Sequence, residues 1–416
     1  MSCSEWKEYS LSELIEIIGG GTPKTTVEEY WNGEINWISI KDFNGDSKYI
    51  LDTEKKITEL GLKKSSTKLL KEKDIIISAR GTVGALGVIK SPMAFNQSCY
   101  GLRANDKVNP DFLYYLLKNS INILKNNTHG SVFNTITKDT FNHINVNIPN
   151  LKEQEKIANV LSSLDNKIEL NNEMNKTLEE MAQSIFKRWF IDFEFPNEEG
   201  NPYKSSGGEM VESELGMIPK GWEVKELGSI CEVKGGKRLP KGMSLLDNKT
   251  SYPYLRVTDV TNGYVNMNSI KYIDEQTREK ISRYIIEYND LYISIAGTIG
   301  LVGGINKKLD KASLTENMAR IICNNINKNY VRLYLNSEEI QNMIKLRAVG
   351  STQPKLPLYV IKDISLLIPE KTLIEKFSSI VDFIYLKLEE NLLNNDGLNE
   401  IRDSLLGEIM SGVLEL

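Results

Sequence analysis

The sequence predicts an α+β protein: two similar globular domains separated by a long antiparallel two-helix coiled coil. Three observations predict it. The chain repeats itself at a nearly constant offset, each repeat opens with short strand-like runs, and each closes on a long helical stretch with one apolar edge.

The repeat is most visible where DIIISARGTVGALGVIK (residues 74–90) meets DLYISIAGTIGLVGGIN (290–306), an offset of 216. Trp6 then falls on Trp222, and Gly19-Gly20 on Gly235-Gly236. Downstream the offset grows to 218 and then 220, where GSVFNTIT (from Gly130) answers GSTQPKLP (from Gly350). Order and spacing persist together, so small loop insertions in one duplicated unit explain the drift. The predicted organisation is a first globule (1–150), a first long helix (151–192), an acidic connector rich in Gly, Ser and Pro (193–220), a second globule (221–370) and a second long helix (371–416).

In each globule, β-like runs such as 35–40, 74–78, 86–89 and 143–148 alternate with Gly/Asn/Asp/Ser turns, and 110–118 reads as a helix. The segment Asn109-Pro110-Asp111-Phe112 resembles the loop with which amino-methyltransferases hold a flipped base. It reads better as a helix start, with Asn as cap and Pro in the first turn.

Each helix carries a heptad-like stripe: Ile157, Leu161, Leu164, Ile168, Asn171, Leu178, Met181 and Ile185 in the first, Phe377, Val381, Ile384, Leu388, Asn391, Leu398, Ile401 and Leu405 in the second. Two apolar edges are most economically buried against each other. An antiparallel pairing gives a duplicated chain internal pseudo-twofold symmetry, with the helices as a ruler. Asn171 and Asn391 occupy matching seam positions, where a buried Asn either fixes register or marks a locally wet seam. The aromatic group Phe186, Trp189, Phe190, Phe193 and Phe195 ends the first helix. It either packs on a globule or docks a partner.

The 416 residues hold 51 Lys+Arg and 56 Asp+Glu, a net charge of −5, which by itself argues against nucleic-acid binding. The distribution reverses that. Residues 1–150 carry 18 basic and 17 acidic groups and residues 221–370 carry 21 and 16, whereas the helices and connector are strongly acidic. Four cysteines without a CxxC and only two histidines, His129 and His143, give no metal site or disulfide scaffold. With no apolar stretch of membrane-spanning length and no leader-like start, a cytoplasmic protein without membrane contact is expected.

Motifs for catalysis are missing: no P-loop, HExxH, GxSxG or GxGxxG occurs. What recurs are small-polar loops between apolar runs. In the first unit they hold Lys24, Thr25, Arg80, Thr82, Ser131 and Asn134, and in the second Lys237, Arg238, Lys241, Thr298, Ser351, Gln353 and Lys355. Arg and Lys suit guanine, Asn and Gln suit adenine, and backbone N–H groups of such loops suit phosphate. For any single residue a tight turn is as good a reading; the set points to double-stranded DNA.

This arrangement resembles the specificity subunits of Type I restriction–modification systems. The resemblance spans essentially the whole chain and rests on Gly20-Gly21-Thr22-Pro23, IISARGTVG (76–84), GSTQPKL (350–356), IPNLKEQEKIANVLSSLD (148–165) and FKRWFIDFEFP (186–196). It implies that the globules are target-recognition domains, each reading half of a split, asymmetric DNA site. It implies that the helices space the halves and dock two methyltransferase subunits through the seam and aromatic residues above. The chain itself would be non-catalytic and bind no cofactor. S-adenosylmethionine belongs to the methyltransferase partner and ATP to a restriction subunit, where one is present. Two departures, Gly235-Gly236-Lys237-Arg238-Leu239-Pro240 in the second unit and GSVFNTI in the first, fit two unlike half-sites. The competing reading is a coiled-coil scaffold whose globules bind proteins and read no DNA.

Overall fold

The structure, a computed structural model, describes residues 6–43, 47–126, 135–261, 263–350 and 353–415. The chain forms two compact units, residues 1–172 with 393–416, and residues 173–392. Each unit therefore combines a globule with parts of both long helices.

The two units share one sheet plan. In unit one, a sheet runs in the order Ile15–Gly19, Cys99–Ala104, Ile75–Ser78, Leu86–Ile89, Tyr49–Ile50. Unit two repeats the first four strands as Glu232–Gly235, Met318–Ile322, Leu291–Ser294 and Val302–Gly304. A second, mixed sheet places Trp31–Ile38 parallel to Met93–Phe95, as Pro253–Leu255 lies parallel to Ala312–Leu314. A third ladder joins the ends of each globule: Lys7–Ser10 with Asn145–Ile148, and Glu223–Glu226 with Ser365–Ile368. The helix expected at 110–118 is longer, Pro110–Asn126, and Asn109 Oδ1 accepts from the Asp111 and Phe112 amides at its start (2.9 and 3.1 Å). Its counterpart Lys328–Leu335 is capped in the same way by Asn327. In the connector, Met210–Ser213 pairs with Gly216–Pro219.

The long helices are Leu151–Phe186, followed by a single π turn at Lys187–Ile191, and Lys371–Met410. Within each unit their segments pair antiparallel, residue numbers rising on one as they fall on the other. In unit one, Ile157 and Leu161 share a core with Leu406 and Ile409, Arg402 meets Asp165, and Asn395 meets Asn171. In unit two, Asn391 meets Asn175 and Tyr385 meets Glu179. The seam asparagines are thus hydrogen-bonded cross-helix, at 2.8 Å (Asn171–Asn395) and 2.9 Å (Asn391–Asn175).

The stripe departs from strict heptads. Ile168, Phe377, Val381, Ile384 and Leu388 are buried, but Leu164 is half-buried and Asp165 takes its seam position. Met181 and Ile401 lie exposed, with Ala182 and Arg402 buried instead. A straight helix drifts about 20° per heptad against a 3.5-residue repeat, which moves the buried edge by one position. The aromatic group fills the core of unit two: the Phe190 ring lies 4.9 Å from Tyr330 and 4.7 Å from Phe377, and Phe195 stacks on Trp222 at 5.3 Å. Phe186 and Phe190 are buried and Trp189 is half-buried, so packing occupies these rings.

Burial raises the phenols of Tyr114 and Tyr115 in unit one and of Tyr264, Tyr292, Tyr330 and Tyr385 in unit two above their ordinary value of 10.0. The unfolded chain ionises these groups near that value while the fold keeps them neutral. The stability they contribute is therefore complete below about pH 10 and is lost as pH rises further, by about 1.4 kcal/mol per pH unit for each such group. In an alkaline titration, tyrosinate absorbance from these rings should appear together with the loss of far-ultraviolet circular dichroism, not before it.

Candidate nucleic-acid interface

The predicted loops are tied into one cluster in each unit by backbone hydrogen bonds, and the ties repeat. In unit one the Gly21 N–H donates to the Phe95 carbonyl (2.9 Å), the Ala79 N–H to the Ser98 carbonyl (2.8 Å), and the Ile136 N–H to the Ala79 carbonyl (3.0 Å). In unit two the Lys237 N–H donates to Leu314, the Ile295 N–H to Asn317, and the Leu356 N–H to Ile295, each at 2.8 Å. The segment 96–98, with its counterpart 315–317, is therefore a hub: together with the residue just before it, Phe95 or Leu314, it joins the glycine-rich loop to the hairpin loop. The hairpin loop in turn holds the third strand of chain, at 136 or 356.

Each loop is built by specific residues. A Cβ on Gly20 would stand 2.1 Å from the Asn96 carbonyl oxygen, and one on Gly236 2.0 Å from that of Thr315, so no side chain fits at either position. The next carbonyl is held by an aromatic donor: Trp37 Nε1 donates to Gly21 O (3.0 Å), and the Tyr254 hydroxyl to Lys237 O (2.8 Å). In the hairpin loop, Ser78 Oγ donates to the Thr82 carbonyl and accepts from the Ala85 amide (2.8 Å). Ser294 does the same between Thr298 and Leu301. In the last loop of unit two, Val349 and Lys355 exchange both backbone bonds at 2.8 Å, and Lys355 bridges to Ala296.

Lys24, Thr25, Arg80 and Thr82 are exposed on the cluster of unit one, and Lys237, Arg238, Lys241, Thr298, Gln353 and Lys355 on that of unit two. Ser131, Asn134 and Ser351, like His129, lie outside the described residues. Arg238 is engaged: its Nε donates to Glu316 Oε1 at 2.6 Å, which holds the guanidinium above its ordinary pKa. Lys237 lies over the Tyr284 ring at 5.6 Å.

The hub itself escaped the sequence reading. Its exposed or half-buried side chains include Gln97 and Glu316, and Thr22 Oγ1 donates to Gln97 Oε1 where Arg238 donates to Glu316. The available signal was the small-polar triplet Asn96-Gln97-Ser98 standing 219 residues before Thr315-Glu316-Asn317, between strands that match in both units.

Among the described residues no cluster of His, Cys, Asp or Glu could hold a metal ion, and no helix is long and apolar enough to cross a membrane.

Comparison with known proteins agrees with this duplication. Residues 3–180 and 219–395 each match the Type I restriction modification DNA specificity domain. The chain is 30% identical to the Type I restriction enzyme MjaIX specificity subunit of Methanocaldococcus jannaschii, over 99% of this chain and 94% of that one. It is 25% identical to the HindI specificity subunit of Haemophilus influenzae, over 73% and 77% of the two chains. The crystal structure of a Type I restriction–modification S subunit from M. genitalium shares the fold, with a TM-score of 0.54 at 17% identity, over 98% of this chain and 96% of that one. The chain belongs to the family of Type I restriction–modification DNA specificity subunits.

Proposed function

We propose that each unit reads one half of a split, asymmetric DNA site through its loop cluster. In this reading the paired helices set the separation of the halves and carry two adenine methyltransferase subunits. S-adenosylmethionine, and ATP where a restriction subunit joins, act in those partner chains and not in this one. The observation that carries the reading is the loop cluster itself: one backbone scaffold, hydrogen-bonded alike in both units, presenting different side chains in each. The same scaffold with different side chains is what two unlike half-sites require. The small charge excess of the globules, above all the first, fits binding in which the methyltransferases add phosphate contacts.

In complex with its methyltransferase partner, the chain should bind one bipartite sequence tightly, with affinity falling steeply as salt rises. Binding of all sequences alike in that complex would overturn the reading.

The helices also leave apolar side chains uncovered. In unit two, Phe383 is 69% exposed on the second long helix, near Ile380 and Leu386. Such a patch suits a protein partner. Phe383→Glu should leave the thermal unfolding temperature nearly unchanged and weaken assembly with the methyltransferase at least about tenfold, as expected for a central aromatic contact. Analytical ultracentrifugation of the mixed subunits measures it.

A further inference from the structure

We propose that the side-chain pairs Thr22–Gln97 and Arg238–Glu316 are the positions at which the two units read different base pairs. Thr22 with Gln97 would recognise an A·T pair in one half-site, and Arg238 with Glu316 a G·C pair in the other. The assignment rests on the DNA reading proposed above and deepens it.

Four observations converge on these pairs. They are structurally equivalent: each links the residue two places after the tightly packed glycine (Gly20 or Gly236) to the middle residue of the hub. Their backbones are fixed on both sides. Gly21 and Lys237 are bonded to the strand that leads into the hub, and the carbonyls of Ser98 and Asn317 on its far side accept from Ala79 and Ile295. The side chains reach solvent: Gln97 is exposed, and the Arg238 side chain is 82% accessible. Finally, the chemistry differs completely, a hydroxyl and an amide in one unit, a guanidinium and a carboxylate in the other. An equivalent, rigid, exposed position with unlike side chains is where two copies of one scaffold can differ in specificity while docking alike.

The hydrogen-bonding chemistry selects the bases. Arg238 uses Nε for Glu316, and a guanidinium has two further nitrogens that can donate to O6 and N7 of guanine. Glu316 accepts only, which suits the N4 amino group of the cytosine in the same or an adjacent pair. Gln97 accepts from Thr22 at Oε1 and carries an amide group that donates. That combination can accept from N6 and donate to N7 of adenine. In each unit the partner holds the reading side chain in place before DNA arrives, which lowers the ordering cost of binding.

The test is selection from DNA with both half-sites randomised, using the full chain in its methyltransferase complex. With Arg238→Thr and Glu316→Gln together, one position of one half-site should change from G·C to A·T, the gap and the other half staying as they were. With Thr22→Arg and Gln97→Glu, the reverse change should occur in the other half only. Arg238→Lys keeps the charge but loses the planar fork, and should relax discrimination at the same position about tenfold or more. A selected motif unchanged by all three variants, with affinity merely scaled, would overturn the assignment, since the pairs would then be struts or phosphate contacts. So would changes spread over both halves. If the unmodified complex selects no bipartite motif, the underlying DNA reading fails as well, so the two failures are told apart by that control.

Discussion

Arg402→Ala should destabilise unit one by about 3–5 kcal/mol, a large part of the stability of an ordinary domain. Arg402 comes from the second long helix and Asp165 from the first, and their 2.6 Å contact is almost inaccessible, with side-chain exposures of 6% and 2%. Removing the guanidinium leaves the Asp165 carboxylate buried without its paired charge, held by the Tyr115 hydroxyl and by the more distant ammonium groups of Lys48 and Lys118. The cost comes from that stranded charge more than from the lost attraction. Replacing both partners by apolar residues, Asp165→Leu with Arg402→Met, should therefore recover most of the loss. Urea unfolding followed by circular dichroism distinguishes the single from the double variant. Equal losses in both would show that the pair contributes through packing alone.

Gly236→Val should be nearly as damaging, about 2–4 kcal/mol in unit two, and should cost DNA binding more than stability. The new Cβ would meet the carbonyl oxygens of Thr315 at 2.0 Å and Leu314 at 2.5 Å, so the loop must leave the hub. Both bonds that seat it, Gly236 N–H to Met318 and Lys237 N–H to Leu314, are then lost, at about 1 kcal/mol each. Lys237 and Arg238 move with the loop. The adjacent glycine is the control. A Cβ on Gly235 meets only Leu358, at an ordinary 3.5 Å, so Gly235→Ala should change little. The pattern recurs in unit one, where Gly19 is open and Gly20 is pressed at 2.1 Å. If Gly236→Ala behaved like Gly235→Ala, or Gly20→Ala like Gly19→Ala, the close approach would not be what these positions require.

The duplicated plan was legible because repetition is a property of the letters themselves: Trp6 and Trp222, the paired glycines and the hairpin segments carry their order openly. The long helices were legible from apolar spacing. Asp165 and Arg402 were not, since a period-based reading looks for apolar residues and passes over a charged pair that is buried only because its partner comes from 237 residues away. The hub at 96–98 and 315–317 was hidden for a related reason. Its role lies in backbone carbonyls: those of Ser98 and Asn317 accept from the hairpin loop, and those of Phe95 and Leu314 just before it accept from the glycine-rich loop, and backbone acceptors leave no mark on composition. In the sequence these glycines read as turn formers, yet Gly20 and Gly236 are required by a close approach and not by backbone angle. Net charge misdirects when read whole, because the acidic helices and connector outweigh the basic second globule.

If this chain supplies the sequence specificity, one half-site from each unit, its removal must change which adenines are methylated. Sequencing of methylated adenines tests it most directly, in cells carrying the methyltransferase partner with and without this chain. A single motif with two unlike halves at a fixed gap should appear when the chain is present and be lost when it is removed. A motif that persists without the chain, or none with it, would show that the chain does not set the specificity and favour a scaffold that reads no DNA.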